Sequence, residues 1–366
     1  MLISHMSRRL VLVPLAVMLA FAAVPPALAQ STPASSAKRS ITDIPGIKVG
    51  HFQDLQALKG TTVILTEDGA EAGVDVRGSA PGTRETDLLR PENLVQQVNA
   101  IVLSGGSAYG LDSAQGVMRY LEERGKGFQV GPNQVVPIVP AAILFDLGVG
   151  SFTTRPTADW GYQAAVAATD GPVVQGNVGA GTGATVGKTR AGVPMKGGLG
   201  TASLDIGGGV LVGAIVAVNG VGDVVNPRTG HFYAESFIGA PLPAISPTTT
   251  AADDGGLLSQ GGDEVTNTTI AVVATNARLT KTQMNKVASM AHDGLARAIR
   301  PVHTLSDGDT VFAVSAGGDA RVAYNDVSAV GAGAADALTQ AIVNAILNAD
   351  SIPGFPSYKD LSSAAK

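Results

Sequence analysis

The order of apolar and polar positions divides the chain into short β-branched runs and longer stretches with helical spacing. Residues 47–49, 61–65 and 100–103 are runs of the first kind and predict strands. The third leads into Ser104-Gly105-Gly106-Ser107. After it Leu111, Ala114, Val117, Met118 and Leu121 recur at helical spacing and Gly125 closes the segment, which predicts a helix. Residues 136–144 read as a buried strand and the Ala-rich stretch 157–169 as a helix. Between 176 and 222 the chain is Gly-rich, with an apolar strand at 210–218 ending in the turn signal Asn219-Gly220. Residues 241–264 hold Pro, Thr, Asp and Gly with almost no apolar period, the clearest loop in the sequence. That loop stops at the strand-like run 268–273. Thr280 and Gln283 then form a capping-box signature, followed by a helical face of Val287, Ala291, Leu295, Ala298 and Ile299. A strand at 310–314 and an Ala-rich helix at 326–348 complete a pattern of sheets covered by helices, in layers.

Composition sharpens this picture. With 366 residues, 45% hydrophobic and 15% charged, the chain can bury a core large enough for one large domain or two small ones. Aromatic residues are only 4% while Gly numbers 46, so that core must be mostly Val, Ala, Leu and Ile. The formal net charge is -5 and no basic stripe is present, which argues against a nucleic-acid partner. Arg8 and Arg9, an apolar run from 10 to 23 and Ala27-Leu28-Ala29 read as a secretory signal. Residues 1–29 are therefore expected to be removed, 30–40 to form a disordered leader, and 41–366 to form a single domain in the periplasm or outside the cell. No later stretch is long and apolar enough to span a bilayer without Gly or charge, so no membrane contact is expected once the signal is gone. Cys is absent, which excludes disulfides and a thiol nucleophile.

Several positions carry candidate chemistry. Asn267-Thr268 lies where the loop meets a strand, and an N-terminal Thr created there could use its own amine, ordinarily near pKa 7.7 to 8.0, as the base for its hydroxyl. On spacing alone the junction is first of all a strand that begins with β-branched residues. Asp307-Gly308-Asp309 puts two carboxylates before a strand, although Asp-Gly is first of all a turn. Asn219 could donate to an oxyanion, and Lys188 could be a cation facing a cleft. Gly179-Ala180-Gly181-Thr182-Gly183-Ala184 and Gly187-Lys188-Thr189 fit nucleotide-binding loops poorly, because Thr182 stands where the phosphate loop needs Gly and no βαβ helix follows. His51, His231, His292 and His303 lack metal-ligand spacing, and no Gly-x-Ser-x-Gly occurs, so neither a metal nor any other cofactor is expected.

The motifs occur in an order that resembles the self-cleaving L-aminopeptidase/D-esterase family, which includes β-aminopeptidases and nylon-oligomer hydrolases. The resemblance covers about 41–349 and rests on five segments: residues 41–51, Asp75-Val76-Arg77-Gly78 with 81–87, residues 103–111, residues 179–188, and residues 267–275. It implies Thr268 as nucleophile, Asn219 as oxyanion donor, Lys188 as supporting cation and Asp307 with Asp309 as the acidic pair. It further implies cleavage into 30–267 and 268–366, a four-layer αββα sandwich like the Ntn-hydrolases but differently connected, and tetramers of cleaved protomers. Thr268 beside two Asp resembles the nylon-oligomer hydrolases rather than the β-aminopeptidases, which pair a Ser nucleophile with Ser and Glu. A Tyr that family members place near the site has no counterpart around Phe145-Asp146. The substrate implied is a short peptide or an amide oligomer. An esterase or lactamase on the same site, or a binding protein that never cuts itself, remain the alternatives.

Overall fold

Strand β1 (Lys48–Asp54) turns back onto the long β2 (Lys59–Val76), and β3 (Gly82–Arg84) and β4 (Gln97–Ser104) follow. A 3-10 turn then leads into helix α1 (Ser113–Glu122), the small hairpin β5 (Phe128–Gly131) and β6 (Gln134–Val136), then β7 (Ala141–Ile143) and α2 (Ala158–Val166). Next come β8 (Thr185–Val186), β9 (Met195–Lys196), β10 (Gly198–Asp205) and β11 (Leu211–Val218). The order ends with β12 (Ile270–Thr275), α3 (Lys281–Ala298), β13 (Thr310–Ser315), α4 (Val327–Asn348) and α5 (Tyr358–Ala364). This computed structural model describes residues 39–189, 192–239, 241–247 and 267–365, all in one compact unit. The expected signal segment and most of the expected loop lie outside the described residues.

Alternation along the strands sorts their side chains into three cores, and three cores between secondary-structure layers make four layers. Ala271 and Val273 of β12 and Val311 and Ala313 of β13 pack with the buried faces of α3 and α4. The residues between them, Ile270, Val272, Phe312 and Val314, face the other way and meet Ile64 of β2 and Ile101 and Leu103 of β4. On the far side Val63, Leu65, Ala100 and Val102 pack against Val117 and Leu121 of α1 and Ala164 and Ala165 of α2. The sequence of layers is thus α3/α4, sheet, sheet, α1/α2, the sandwich that the resemblance implies. The two middle layers are joined by hydrogen bonds: the strand order is β10-β11-β12-β13-β2-β4-β7-β3, with β1 also on β2. The first half of β2 pairs with β1 and β4, its second half with β13, and a register shift between Leu65 and Ala70 lets one strand serve both layers.

Helix α3 begins as the capping box predicts, with the Thr280 side chain accepting from the Gln283 N–H. Helix α4 has 22 residues and is apolar enough to cross a membrane, but 72% of that stretch is buried inside the protein, so it is a core helix. Three expectations are corrected. The strand expected at 136–144 is broken between Val136 and Ala141, where Pro137 and Pro140 offer no N–H to a ladder. The helix expected from Ser104 is α-helical only from Ser113, because Gly106 and Ser107 have φ of 85° and 55°. The strand expected at 268 begins at Ile270, since Thr268 has a φ of 142°.

Candidate active site

Strand register brings the separated motifs together. Strand β12 lies between antiparallel β11 and parallel β13, with Ala217 opposite Ile270 and Ile270 opposite Thr310. The residues just beyond those pairs therefore meet at one end of the sheet: Asn219 after β11, Thr268 before β12, and Asp307 to Asp309 before β13. The ladder continues irregularly there. The Thr268 N–H donates to the Asn219 carbonyl at 2.9 Å, and the Thr310 N–H to the Thr269 carbonyl at 3.2 Å.

Thr268 is buried, as are Asn267, Asn219, Asp307 and Asp309. Its Oγ1 accepts from the Gly308 N–H at 3.0 Å, an approach that only Gly permits, since a Cβ at 308 would stand 2.8 Å from that oxygen and 2.6 Å from the Ala80 carbonyl. A β-branched residue at a φ of 142° is strained, and that torsion is about the Thr268 N–Cα bond, next to the peptide bond that joins Asn267 to Thr268. The side chain of Asn219 is fixed from both ends. Its Nδ2 donates to the Phe145 carbonyl at 3.0 Å, and its Oδ1 accepts from the Thr185 N–H at 2.9 Å and from Lys188 Nζ at 3.4 Å. Lys188 Nζ also donates to Thr185 Oγ1 at 3.1 Å. Burial pushes the Lys188 amine down to about 7, against the opposing pull of Asp307 and Asp146.

The two carboxylates are held differently. Asp309 Oδ1 accepts from the Thr269 N–H at 2.7 Å, and its Oδ2 from the His303 N–H at 3.0 Å and His303 Nδ1 at 2.8 Å. Asp307 Oδ2 accepts from the Thr304 N–H at 3.0 Å and Thr304 Oγ1 at 2.7 Å. Burial first, and then the charge of Asp309, push the Asp307 carboxyl up from its ordinary value. A cavity of about 300 Å³ opens onto Thr268, walled by Pro81, Ala108, Ile143, Phe145, Asn267 and Ser306 among others. A larger cavity of about 490 Å³, near the β2 bulge and Phe128, contains none of these site residues.

All five site residues expected from the sequence thus converge, together with Asn267. Phe145 stands at the cavity and contributes its backbone carbonyl to Asn219, where the family's Tyr was sought. Sequence reasoning missed two groups. The spacing of His303 speaks only against a metal and says nothing of its place beside Asp309. Asp146 was passed over, yet it is buried with Lys59 at 3.9 Å, and its Oδ1 accepts from the Gly106 N–H at 2.8 Å. Lys196, also buried, gives Nζ hydrogen bonds to the carbonyls of Gly181, Ala184 and Gly197. Lys59 leading an apolar run was the one visible signal, because a charge there is either at an edge or paired inside.

Comparison with known proteins places the chain in a family and agrees with the fold. The chain is 47% identical to an uncharacterized aminopeptidase of Mycobacterium leprae over 345 residues, covering 87% of this chain and 93% of that protein. It is 31% identical to a 6-aminohexanoate-oligomer endohydrolase of a Kocuria species, covering 75% of this chain and 74% of that one. Among solved structures, a β-aminopeptidase of a Burkholderia species superimposes with a TM-score of 0.65 at 23% identity, over 89% of this chain and 94% of that one. The L-aminopeptidase D-Ala-esterase/amidase of Ochrobactrum anthropi, described as a new variant among the Ntn hydrolase fold, gives 0.64 at 20% identity over 89% and 90% of the two chains. Both structural matches speak to the fold alone. The model of Peptidase family S58 matches residues 39–359, so the chain belongs to Peptidase family S58.

Proposed function

We propose that the chain cuts itself between Asn267 and Thr268 and that the released Thr268 is the N-terminal nucleophile of an amide hydrolase. The observation that carries this reading is the convergence of a buried, strained Thr268 with Asn219, Lys188, Asp307 and Asp309 at one sheet end, beside a cavity. In the uncut chain Thr268 Oγ1 attacks the Asn267 carbonyl carbon, and the acyl group passes from nitrogen to oxygen. Water then hydrolyses that ester, leaving a carboxylate on Asn267 and a free amine on Thr268. Relief of the strained φ, worth on the order of 1–3 kcal/mol, favours the first step.

In turnover the Thr268 amine takes the hydroxyl proton as Oγ1 attacks the substrate carbonyl, and later passes it to the leaving amine. An amide N–H of Asn219 steadies the tetrahedral oxyanion. Asp309 fixes the chain next to the nucleophile through Thr269, while Lys188 and Asp307, shifted toward each other by burial, set the charge around the new ammonium. The substrate class follows from the similarity to an aminopeptidase and to a 6-aminohexanoate-oligomer endohydrolase: short peptides or amino-acid oligomers joined by amide bonds. Processing into 30–267 and 268–366, export, and assembly of the cleaved protomers into tetramers belong to the same proposal.

Mass spectrometry of the purified protein tests it. Two fragments are expected, the smaller starting at Thr268, and Thr268→Ala should give one intact, inactive chain. A single wild-type band that persists on incubation, or two fragments from Thr268→Ala, would sink the reading.

A further inference from the structure

We propose that His303 is a positioning residue for the chemistry at Thr268, acting through Asp309, which it holds in register with the start of β12. This rests on the proposed role of Thr268 and adds a residue to it. Asp309 is the hinge of the argument: one of its oxygens receives the N–H of Thr269, the residue directly after the nucleophile, at 2.7 Å. The other oxygen is occupied twice by a single residue, the backbone N–H of His303 at 3.0 Å and its ring Nδ1 at 2.8 Å. A carboxylate only accepts, so Nδ1 carries the proton and the tautomer is set. Both donors can reach one oxygen because His303 adopts a φ of 57°, a left-handed conformation that His and Asn tolerate better than most side chains.

The rest of the ring is enclosed. His303 Nε2 is buried and has no hydrogen-bond partner among the described residues. The ring stands edge-on to His292 of α3, with centroids 4.8 Å apart. His292 is itself pushed down to about 4, chiefly by burial, and its Nε2 meets the Asp75 carbonyl at 2.9 Å. The charged groups around the pair are Asp75 of β2 with Arg77 just after it, and Asp309 on the loop before β13. His303 thus touches no reacting atom; it fixes the carboxylate that fixes the nucleophile's own peptide. A displacement of about 1 Å at a reacting group costs on the order of 10²-fold in rate.

Two substitutions separate this role from bulk packing. His303→Gly keeps the left-handed backbone and its N–H donor but removes the ring. His303→Asn keeps the conformation and returns an N–H donor near the position of Nδ1. For the Gly variant we expect the rate of self-cleavage to fall roughly 10- to 100-fold, the scale of a hydrogen bond to a charged group. Its kcat toward an amino-acid p-nitroanilide should fall alike with KM within about 2-fold, because the ring acts on the position of the nucleophile and not on substrate binding. The Asn variant should stay within about 3-fold of the wild type. Wild-type processing by His303→Gly overturns the proposal. So does an equal loss in both variants with a lowered melting temperature, which marks His303 as structural. Thr268→Ala, run beside them, isolates the other failure: if it still cleaves, the nucleophile assignment falls and the role of His303 falls with it.

Discussion

At the scale of single residues, the site depends on contacts that leave no room for a methyl group. Gly308 is the clearest case. Its N–H donates to Thr268 Oγ1 at 3.0 Å, and a Cβ there would meet that oxygen at 2.8 Å and the Ala80 carbonyl at 2.6 Å. Gly308→Ala must therefore push either the hydroxyl or the 80–81 segment aside. We expect processing to slow by on the order of 10²-fold in that variant, since the displaced group is the nucleophile itself. The stability loss should be modest, within the usual 0.5–3 kcal/mol of single substitutions. Timed gel analysis of freshly refolded protein reads the first and urea denaturation of the uncut chain the second. A Gly308→Ala chain that processes at the wild-type rate would show that the Gly308 N–H does not set the position of Oγ1. The Asp-Gly-Asp tripeptide looks like a turn in sequence, but in the structure the turn precedes it at Leu305-Ser306 and the tripeptide leads directly into β13; its chemical importance comes from the chain that packs against it, which no local pattern encodes.

At the scale of elements, the strands were readable and their partners were not. The short continuous apolar runs of β12 and β13 mark both as strands buried on two faces, and Thr280 with Gln283 marks the start of α3. Nothing along the chain says that β12 pairs in parallel with β13 and antiparallel with β11, yet that register is what carries Asn219, Thr268 and Asp309 to one place. The ordered family motifs supplied the grouping that periodicity could not. The turn after β7 was missed altogether, because its meaning depends on three distant partners. Asp146 there is buried beside Lys59, ties down the Gly106 N–H, and so fixes the Phe145 carbonyl that receives Asn219 Nδ2. Burial pushes Asp146 up to about 6, with Lys59 opposing. Asp146→Ala should destabilise the uncut chain by about 3–5 kcal/mol, the cost of removing one partner from a buried pair. Denaturant unfolding of Thr268→Ala with and without the second change measures it, and a difference below about 1 kcal/mol would mean that the pair is not ionised together.

At the scale of the whole molecule, the core is unusual in holding lysines. Lys59, Lys196 and Lys281 are buried, and Lys188 is half-buried at the site. Two of them give their protons to backbone carbonyls: Lys281 donates to Leu88, Asn93 and Val95, and Lys196 to three carbonyls near the Gly-rich segment. Burial is the leading cause pushing all four amines down, to about 7 for Lys188 and Lys196. Between that value and the ordinary lysine range near 10.4, the unfolded chain binds more protons than the folded one, so unfolding free energy must rise with pH. Below about 7 these two lysines are charged in both states and their contribution to the slope vanishes. The buried histidines His51 and His292, at about 4, and Asp146, at about 6, complete their shifts at lower pH, and the tyrosines pushed up by burial titrate above it. The window from about pH 7 to 9.5 therefore reports the lysines. For uncut Thr268→Ala we expect the urea midpoint to climb steadily across it, with a slope of at most about 1.4 kcal/mol per pH unit for each lysine. Adding Lys196→Met should make that slope shallower. It should leave Lys188 as the main titrating group, because Lys196 lies apart from Thr268 and bonds only to backbone carbonyls. A midpoint that stays flat or falls from pH 7 to 9.5 would mean that the amines keep their protons inside the fold. The site would then work with Lys188 as a permanent cation beside Asn219.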